Sequence, residues 1–255
     1  MIYSVDNRPI AVFDSGLGSI SVIKILRNRL GKENIIYLAD RKHHPYGMKD
    51  QRVLKDIISN TIDYLLNYDP KIIIVGSITP SITVLDQVRA DLEIPLFGIY
   101  LPLEDAIKLS SDITILGTRT LLKSNRLDEL LKSHIVRADF RKVNASNIIH
   151  KVEEGAFDEI DRLIKDLELS NLTILSSTHL SLIKDRFEEI HRDVRFIDGI
   201  NNTIEQVRSY LTYHDMLADN QGLIKALVSK DAESFKMIAD RFIKDLKVEE
   251  VSLSF

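Results

Sequence analysis

Eight short runs of β-branched and apolar residues, separated by longer stretches of helical periodicity, constrain this 255-residue chain more than any other feature. The runs are Ile10–Phe13, Ile35–Leu38, Lys71–Val75, Pro95–Ile99, Ile113–Leu116, Ile135–Ala138, Leu172–Ser176 and Val194–Ile197. Most are continuously apolar, as suits parallel strands covered by helices on both faces. Between them, Val53, Leu54, Ile57, Ile58, Ile62, Leu65 and Leu66 share one helical face, as do Phe157, Ile160, Leu163, Ile164 and Leu167. Near the C-terminus Phe235, Ile238, Phe242 and Leu246 repeat at helical spacing with no strand expected among them. The tail after Val248 is expected to be either a short ordered end or frayed. This βαβα alternation predicts a doubly wound α/β architecture.

The chain is long enough for one large or two modest domains, and no Pro/Gly/Ser-rich linker divides it. Its formal net charge of −4, with Lys and Arg scattered among Asp and Glu, supplies no field for nucleic acid or an anionic membrane. No apolar run approaches the ~20 residues needed to span a bilayer. The start, Met1 to Arg8, lacks the basic and apolar regions of a signal peptide, which predicts a cytoplasmic protein. Cysteine is absent, so disulfides, thiolate metal sites and cysteine nucleophiles are excluded. Chemistry must come from hydroxyls, carboxylates, imidazoles or lysines.

An internal echo suggests two related lobes. Ile72-Ile73-Ile74-Val75-Gly76-Ser77-Ile78-Thr79 is answered by Leu172-Thr173-Ile174-Leu175-Ser176-Ser177-Thr178-His179. A fainter echo pairs Ile10–Gly16 with Ile113–Thr118. Chance likeness between buried strands is the alternative explanation.

Open parallel sheets bind ligands outside the carboxyl ends of their strands, where loops and helix N-termini gather. The segments expected there are Asp14-Ser15-Gly16-Leu17-Gly18-Ser19, Gly76-Ser77-Ile78-Thr79, Gly117-Thr118-Arg119-Thr120 and Ser176-Ser177-Thr178-His179, with His43-His44-Pro45-Tyr46-Gly47 on a further loop. A single such loop reads as a helix cap. Four together point to a cleft for a carboxylate or phosphate. The glycines Gly16 and Gly18 do not complete a dinucleotide fingerprint, and no GK[ST] follows them. Adjacent His43 and His44 diverge and have no third ligand, so no metal site is expected. Ser77 lacks a GxSxG elbow. His179 reads equally as a general acid or base and as a hydrogen-bonded structural histidine.

Taken in order, these segments resemble the glutamate racemases of the aspartate/glutamate racemase family. Val12-Phe13-Asp14-Ser15-Gly16-Leu17-Gly18-Ser19-Ile20-Ser21-Val22 is similar to that family's first signature, and Asp40 with Pro45-Tyr46-Gly47 to its second. Gly76-Ser77-Ile78-Thr79-Pro80-Ser81 stands where the family has Ala-Cys-Asn-Thr-Ala-Ser, and Ser176-Ser177-Thr178-His179 where it has Gly-Cys-Thr-His. Glu153 ahead of Gly155, and Ile197-Asp198-Gly199, resemble two later motifs. The resemblance implies two pseudo-symmetric, doubly wound parallel-sheet lobes with the site between them. One lobe would comprise residues 1–97 and 207–255, with C-terminal helices packed on it, and the other residues 98–206. It also implies cofactor-independent proton transfer at the α-carbon of a small amino acid or carboxylate. Asp14 and His179 would assist the two thiols, and Glu153 would be the acidic residue of the site. Ser15, Tyr46, Gly47, Thr79, Thr118 and Thr178 would form the substrate cradle. A homodimer is compatible with the resemblance, although no interface stripe stands out.

Ser77 and Ser177 occupy both positions of the family's catalytic cysteines. A thiol with a pKa near ~8.5 supplies a usable thiolate, whereas a serine alkoxide is scarcely populated near neutrality. A proton-transferring base works best with a pKa near the operating pH. Deliberate exchange to trap a substrate would account for the serines. Ile78, Pro80 and Leu180-Ser181 also depart from the family pattern, which favours natural divergence. Two readings follow: a racemase-type enzyme with proton transfer lost or strongly attenuated, or a non-catalytic pseudoenzyme that senses a carboxylate or binds another protein.

Overall fold

The computed structural model describes residues 5–90, 92–244 and 246–255. Among the described residues there are ten strands: β1 (Ile10–Asp14), β2 (Ile35–Ala39), β3 (Ile72–Val75), β4 (Leu96–Gly98), β5 (Asp112–Gly117), β6 (Asp139–Asn144), β7 (Leu172–Leu175), β8 (Arg195–Ile197), β9 (Ile224–Val228) and β10 (Lys247–Glu250). The chain divides into two compact units, Met1–Ile99 with Ile200–Phe255, and Tyr100–Gly199. The second division falls at Gly199, ahead of the helix Ile200–Tyr213, rather than at residue 206 inside it. Splitting that helix would break a continuous hydrogen-bonded element.

The first unit holds a six-stranded parallel sheet in the order β10-β9-β2-β1-β3-β4. The second holds a four-stranded parallel sheet in the order β6-β5-β7-β8. The segments β2-β1-β3-β4 and β6-β5-β7-β8 follow the same order, so the two sequence echoes fall on equivalent places. β3 and β7 carry one echo, and β1 and β5 the other. The winding reverses between β1 and β3 in the first sheet and between β5 and β7 in the second. Those switch points open crevices at the strands' carboxyl ends.

Apolar burial holds the elements in place. Every residue of β1 and of β3 is buried, as befits strands covered on both faces. The helix Gln51–Leu66 begins where the Asp50 carboxylate accepts the Arg52 N–H (2.9 Å). It buries Leu54, Ile57, Ile58, Ile62 and Leu65 against the sheet, while Val53 and Leu66 at the margins of the stripe remain exposed. Each such buried Leu or Ile contributes roughly 1.5–3 kcal/mol relative to exposure. In the second unit the helix Phe157–Lys165 buries Phe157, Ile160 and Ile164. Among the described residues no helix is long and apolar enough to cross a membrane.

Two sequence expectations are corrected. Ile135–Ala138 is not a strand; Ile135 and Val136 are exposed in a turn, and the strand is the polar segment β6 that follows. β6 is an edge strand with one covered side, so it needs no continuous apolar run. The C-terminal region is not helix alone. Its helix ends at Ala239, and β9 and β10 extend the first sheet beyond β2. Of the two forms expected for the tail after Val248, the ordered one is present: Val251 N–H donates to Val228 O (2.9 Å), and Leu253 is buried in the core with Tyr46 and Leu54.

Candidate active site

In the first unit, the site residues expected from sequence stand on the loops after β1, β2 and β3. Backbone bonds hold those strand ends together: Asp40 N–H donates to Asp14 O (2.8 Å), and Gly76 N–H to Phe13 O (2.8 Å). Asp14 is 1% exposed. Its Oδ1 accepts the Ser15 N–H (2.7 Å), and its Oδ2 the Ser19 hydroxyl (3.1 Å). The Ser19 hydroxyl also lies 2.9 Å from Gly76 O, so one hydrogen is shared between two acceptors on neighbouring strand ends. A Cβ on Gly76 would stand 1.9 Å from Ser19 Oγ, so the hydroxyl occupies space that only glycine leaves free.

Asp40, fully buried at the end of β2, organises the next loop. Its carboxylate takes the His43 imidazole (Nδ1 at 2.8 and 2.9 Å from its two oxygens) and the Tyr46 hydroxyl (3.0 Å). Burial, together with the negative charge of Asp40, drives the Tyr46 phenol well above its ordinary pKa. Tyr46 is 1% exposed, and its hydroxyl is committed to Asp40. Gly47 follows it in a half-buried turn. His43 stacks on Phe255 (centroids 5.5 Å apart), and the neighbouring Lys42 ammonium donates to Leu253 O (2.8 Å). Ser77, at the end of β3, is half-buried and caps the helix Ile78–Thr83 by position only, since its side chain makes no capping bond. Ile78 is buried, and Thr79 is half-buried with its carbonyl accepting the Thr83 hydroxyl (2.8 Å).

The second unit brings three of the expected residues into one array. His179 Nε2 lies 2.5 Å from Glu153 Oε1, and His179 Nδ1 lies 3.5 Å from the Ser177 hydroxyl. All three side chains are buried. Ser177 precedes the helix Thr178–Leu182, and Glu153 lies at the end of the helix Ser146–Glu154. That helix stops on Gly155, whose φ of 71° is a left-handed conformation suited to glycine. Thr178 is buried beside the array in sequence. Thr118, at the end of β5, accepts the Leu121 N–H (3.2 Å) and so acts as a helix cap. Ser176 N–H and its hydroxyl both donate to Leu116 O (2.8 Å each), pinning the tip of β7 to β5. A Cβ on Gly117 would meet that hydroxyl at 2.0 Å.

The two strand-end serines therefore differ. Both stand at a helix start without a side-chain capping bond, and Ser177 has an imidazole within reach. Ser19 and Ser176 carry no role in the sequence reading, and His43 enters it only as a rejected metal ligand. Their hydroxyl or imidazole character was visible, but their partners lie on other strands or loops. Among the described residues no three His, Asp or Glu side chains cluster as a metal site.

No family model matches the chain. Among curated proteins, it is 28% identical over 253 residues to the glutamate racemase of Clostridium acetobutylicum, covering 94% of this chain and 99% of that protein. It is likewise 28% identical over 258 residues to that of Sulfurihydrogenibium sp., covering 96% and 98%. Among solved structures, the Thermus thermophilus glutamate racemase in complex with β-chloro-D-alanine superposes with a TM-score of 0.79 at 26% identity, covering 98% of this chain and 99% of that one. The Escherichia coli glutamate racemase in complex with L-glutamate and the activator UDP-MurNAc-Ala matches in fold, with a TM-score of 0.80 at 21% identity over 97% and 100% of the two chains. Along nearly its whole length, the chain is similar in sequence to glutamate racemases and shares their fold.

Proposed function

We propose that the chain binds a small acidic amino acid or related carboxylate at the carboxyl ends of its strands, and that cofactor-independent α-proton transfer there is lost or strongly attenuated. The observation that carries this reading is the Ser177 hydroxyl beside His179, which is itself anchored by Glu153. The supports of a proton-transfer site are in place, but the group beside the imidazole is a hydroxyl that seldom exists as its anion. Relatives solved with L-glutamate and D-glutamate support the choice of ligand class. Asp14 and His179 would be the proton-handling groups, with Ser15, Thr79, Thr118 and Thr178 near the ligand.

Incubation with L- and D-glutamate and aspartate in D₂O, followed by NMR of the α-proton, tests the reading. Exchange slow or absent at high protein concentration is expected, and any residual exchange should vanish in His179→Ala. Exchange as fast as an ordinary enzymatic turnover would overturn attenuation.

Ile78 favours a second reading, a non-catalytic sensor of a less charged ligand. It is buried at the end of β3, where the resembling family carries an asparagine. A ligand bound only by the native state raises the melting temperature by mass action. A thermal-shift screen in which no amino acid or dicarboxylic acid moves Tm would reject the sensor.

A further inference from the structure

Ser177, His179 and Glu153 form a hydroxyl–imidazole–carboxylate array within the second unit. An ionised carboxylate only accepts hydrogen bonds, so His179 Nε2 carries the hydrogen directed at Glu153 Oε1. In the neutral imidazole Nδ1 then presents its lone pair, and it is Nδ1 that faces the Ser177 hydroxyl. The order nucleophile, base, orienting carboxylate is that of a hydrolytic triad, with the two imidazole nitrogens exchanged relative to the serine-protease arrangement. The 3.5 Å separation is long, as such contacts commonly are before a substrate tightens them.

Replacing a thiol by a hydroxyl acts differently on two kinds of chemistry. A base that removes an α-proton must already be an anion, which serine is not. A serine that attacks an acyl carbon needs no standing alkoxide, because an imidazole removes its proton as the new bond forms. The change that weakens racemisation is compatible with acyl transfer.

We propose that Ser177 is a nucleophile toward small carboxylic esters, with His179 as its base and Glu153 as a positioning residue. Ser177 Oγ bonds to the carbonyl carbon while its proton passes to His179 Nδ1. The ester C–O bond breaks, and the leaving alkoxide takes that proton to depart as the alcohol. Water then adds to the acyl-serine, giving its proton to Nδ1. The acid departs as Ser177 recovers a proton. The cycle consumes ester and water alone, and it shares residues with the proposed function without requiring α-proton exchange.

The test treats the full chain with a fluorophosphonate probe, which transfers its phosphonyl group to an activated serine with loss of fluoride, and maps the adduct by peptide mass spectrometry. An adduct on Ser177 and none on Ser77 is expected, with hydrolysis of p-nitrophenyl acetate lost in Ser177→Ala. Labelling should slow by roughly 100-fold in His179→Ala, the scale of general-base assistance. In Glu153→Gln, which retains side-chain shape, the limb of the pH–rate profile should move to lower pH as the imidazolium loses a neighbouring negative charge. Absence of the Ser177 adduct, equal labelling of Ser77, or an unchanged rate in a folded His179→Ala protein would overturn the proposal. Exchange in D₂O, measured on the same preparation, separates the two readings: an adduct without exchange leaves acyl transfer standing, and exchange without an adduct rejects it.

Discussion

His179 Nε2 and Glu153 Oε1 lie 2.5 Å apart, 26 residues apart in sequence, with each side chain only 7% exposed. A short, buried contact of this kind is costly to disturb from one side, because the remaining partner loses its acceptor without regaining water. Glu153→Leu is expected to destabilise the protein by about 1–3 kcal/mol, read as a lowered urea midpoint with unchanged slope. Glu153→Gln, which can still accept from the imidazole, should cost less. Equal midpoints for Glu153→Leu and the parent would show that this contact adds nothing to stability.

Ser19 and Gly76 make a complementary pair, the serine hydroxyl filling the space a Gly76 Cβ would need. Gly76→Ala alone is expected to destabilise by about 1–3 kcal/mol through overpacking. Combined with Ser19→Gly it should cost less than the two single changes added together, since the clash is then relieved. Additive denaturation energies for the double variant would reject the pairing.

Tyr46 should titrate late. Its folded pKa is raised, so the neutral phenol is preferred by the native state. That contribution is fully present below the unfolded tyrosine pKa near ~10 and is lost as pH rises from there toward the folded value. Ultraviolet titration of Tyr46→Phe should show one fewer late-ionising tyrosine than the parent, and the substitution should flatten the alkaline fall in stability. A Tyr46→Phe protein with the same alkaline profile as its parent would contradict this.

Lys71 and Glu33 form a buried ion pair (2.5 Å), and the Lys71 ammonium also donates to Asp6 O (2.7 Å) and Met216 O (2.6 Å). Lys71→Met leaves the buried Glu33 carboxylate without its counter-charge and is expected to cost roughly 3–5 kcal/mol. Removing both charges, in Lys71→Met with Glu33→Leu, should recover part of that loss. Guanidinium melts of the three variants decide it. A double variant no more stable than Lys71→Met would mean the lost bonds to Asp6 and Met216 carry the effect.

Much of this architecture was legible in the residue order. β1, β2, β3, β5 and β7 were readable because buried parallel strands are continuous apolar runs, and Ile10–Phe13 or Leu172–Ser176 can satisfy few other environments, while the edge strands β4 and β8 were read from the short runs Pro95–Ile99 and Val194–Ile197. β6 was misplaced onto Ile135–Ala138 because this edge strand is mostly polar and an exposed turn can hold β-branched residues. β9 and β10 were missed because the helical spacing around Phe235 hid the strands on either side of it. Within the candidate site, hydroxyl and acidic residues at strand ends were visible as types at the right places.

The sequence by itself determined which side chains stand at the strand ends, the absence of any thiol, and the β-α alternation that forces parallel sheets. Each follows from chain order and from local steric and burial preferences. Only the tertiary structure decided that Ser177 has an imidazole within reach, that Tyr46 spends its hydroxyl on Asp40, and that Ser19 needs Gly76. These are contacts made across strands and loops. Hydrogen-bond reach and van der Waals exclusion act over a few ångströms of space, which distance along the chain does not reveal.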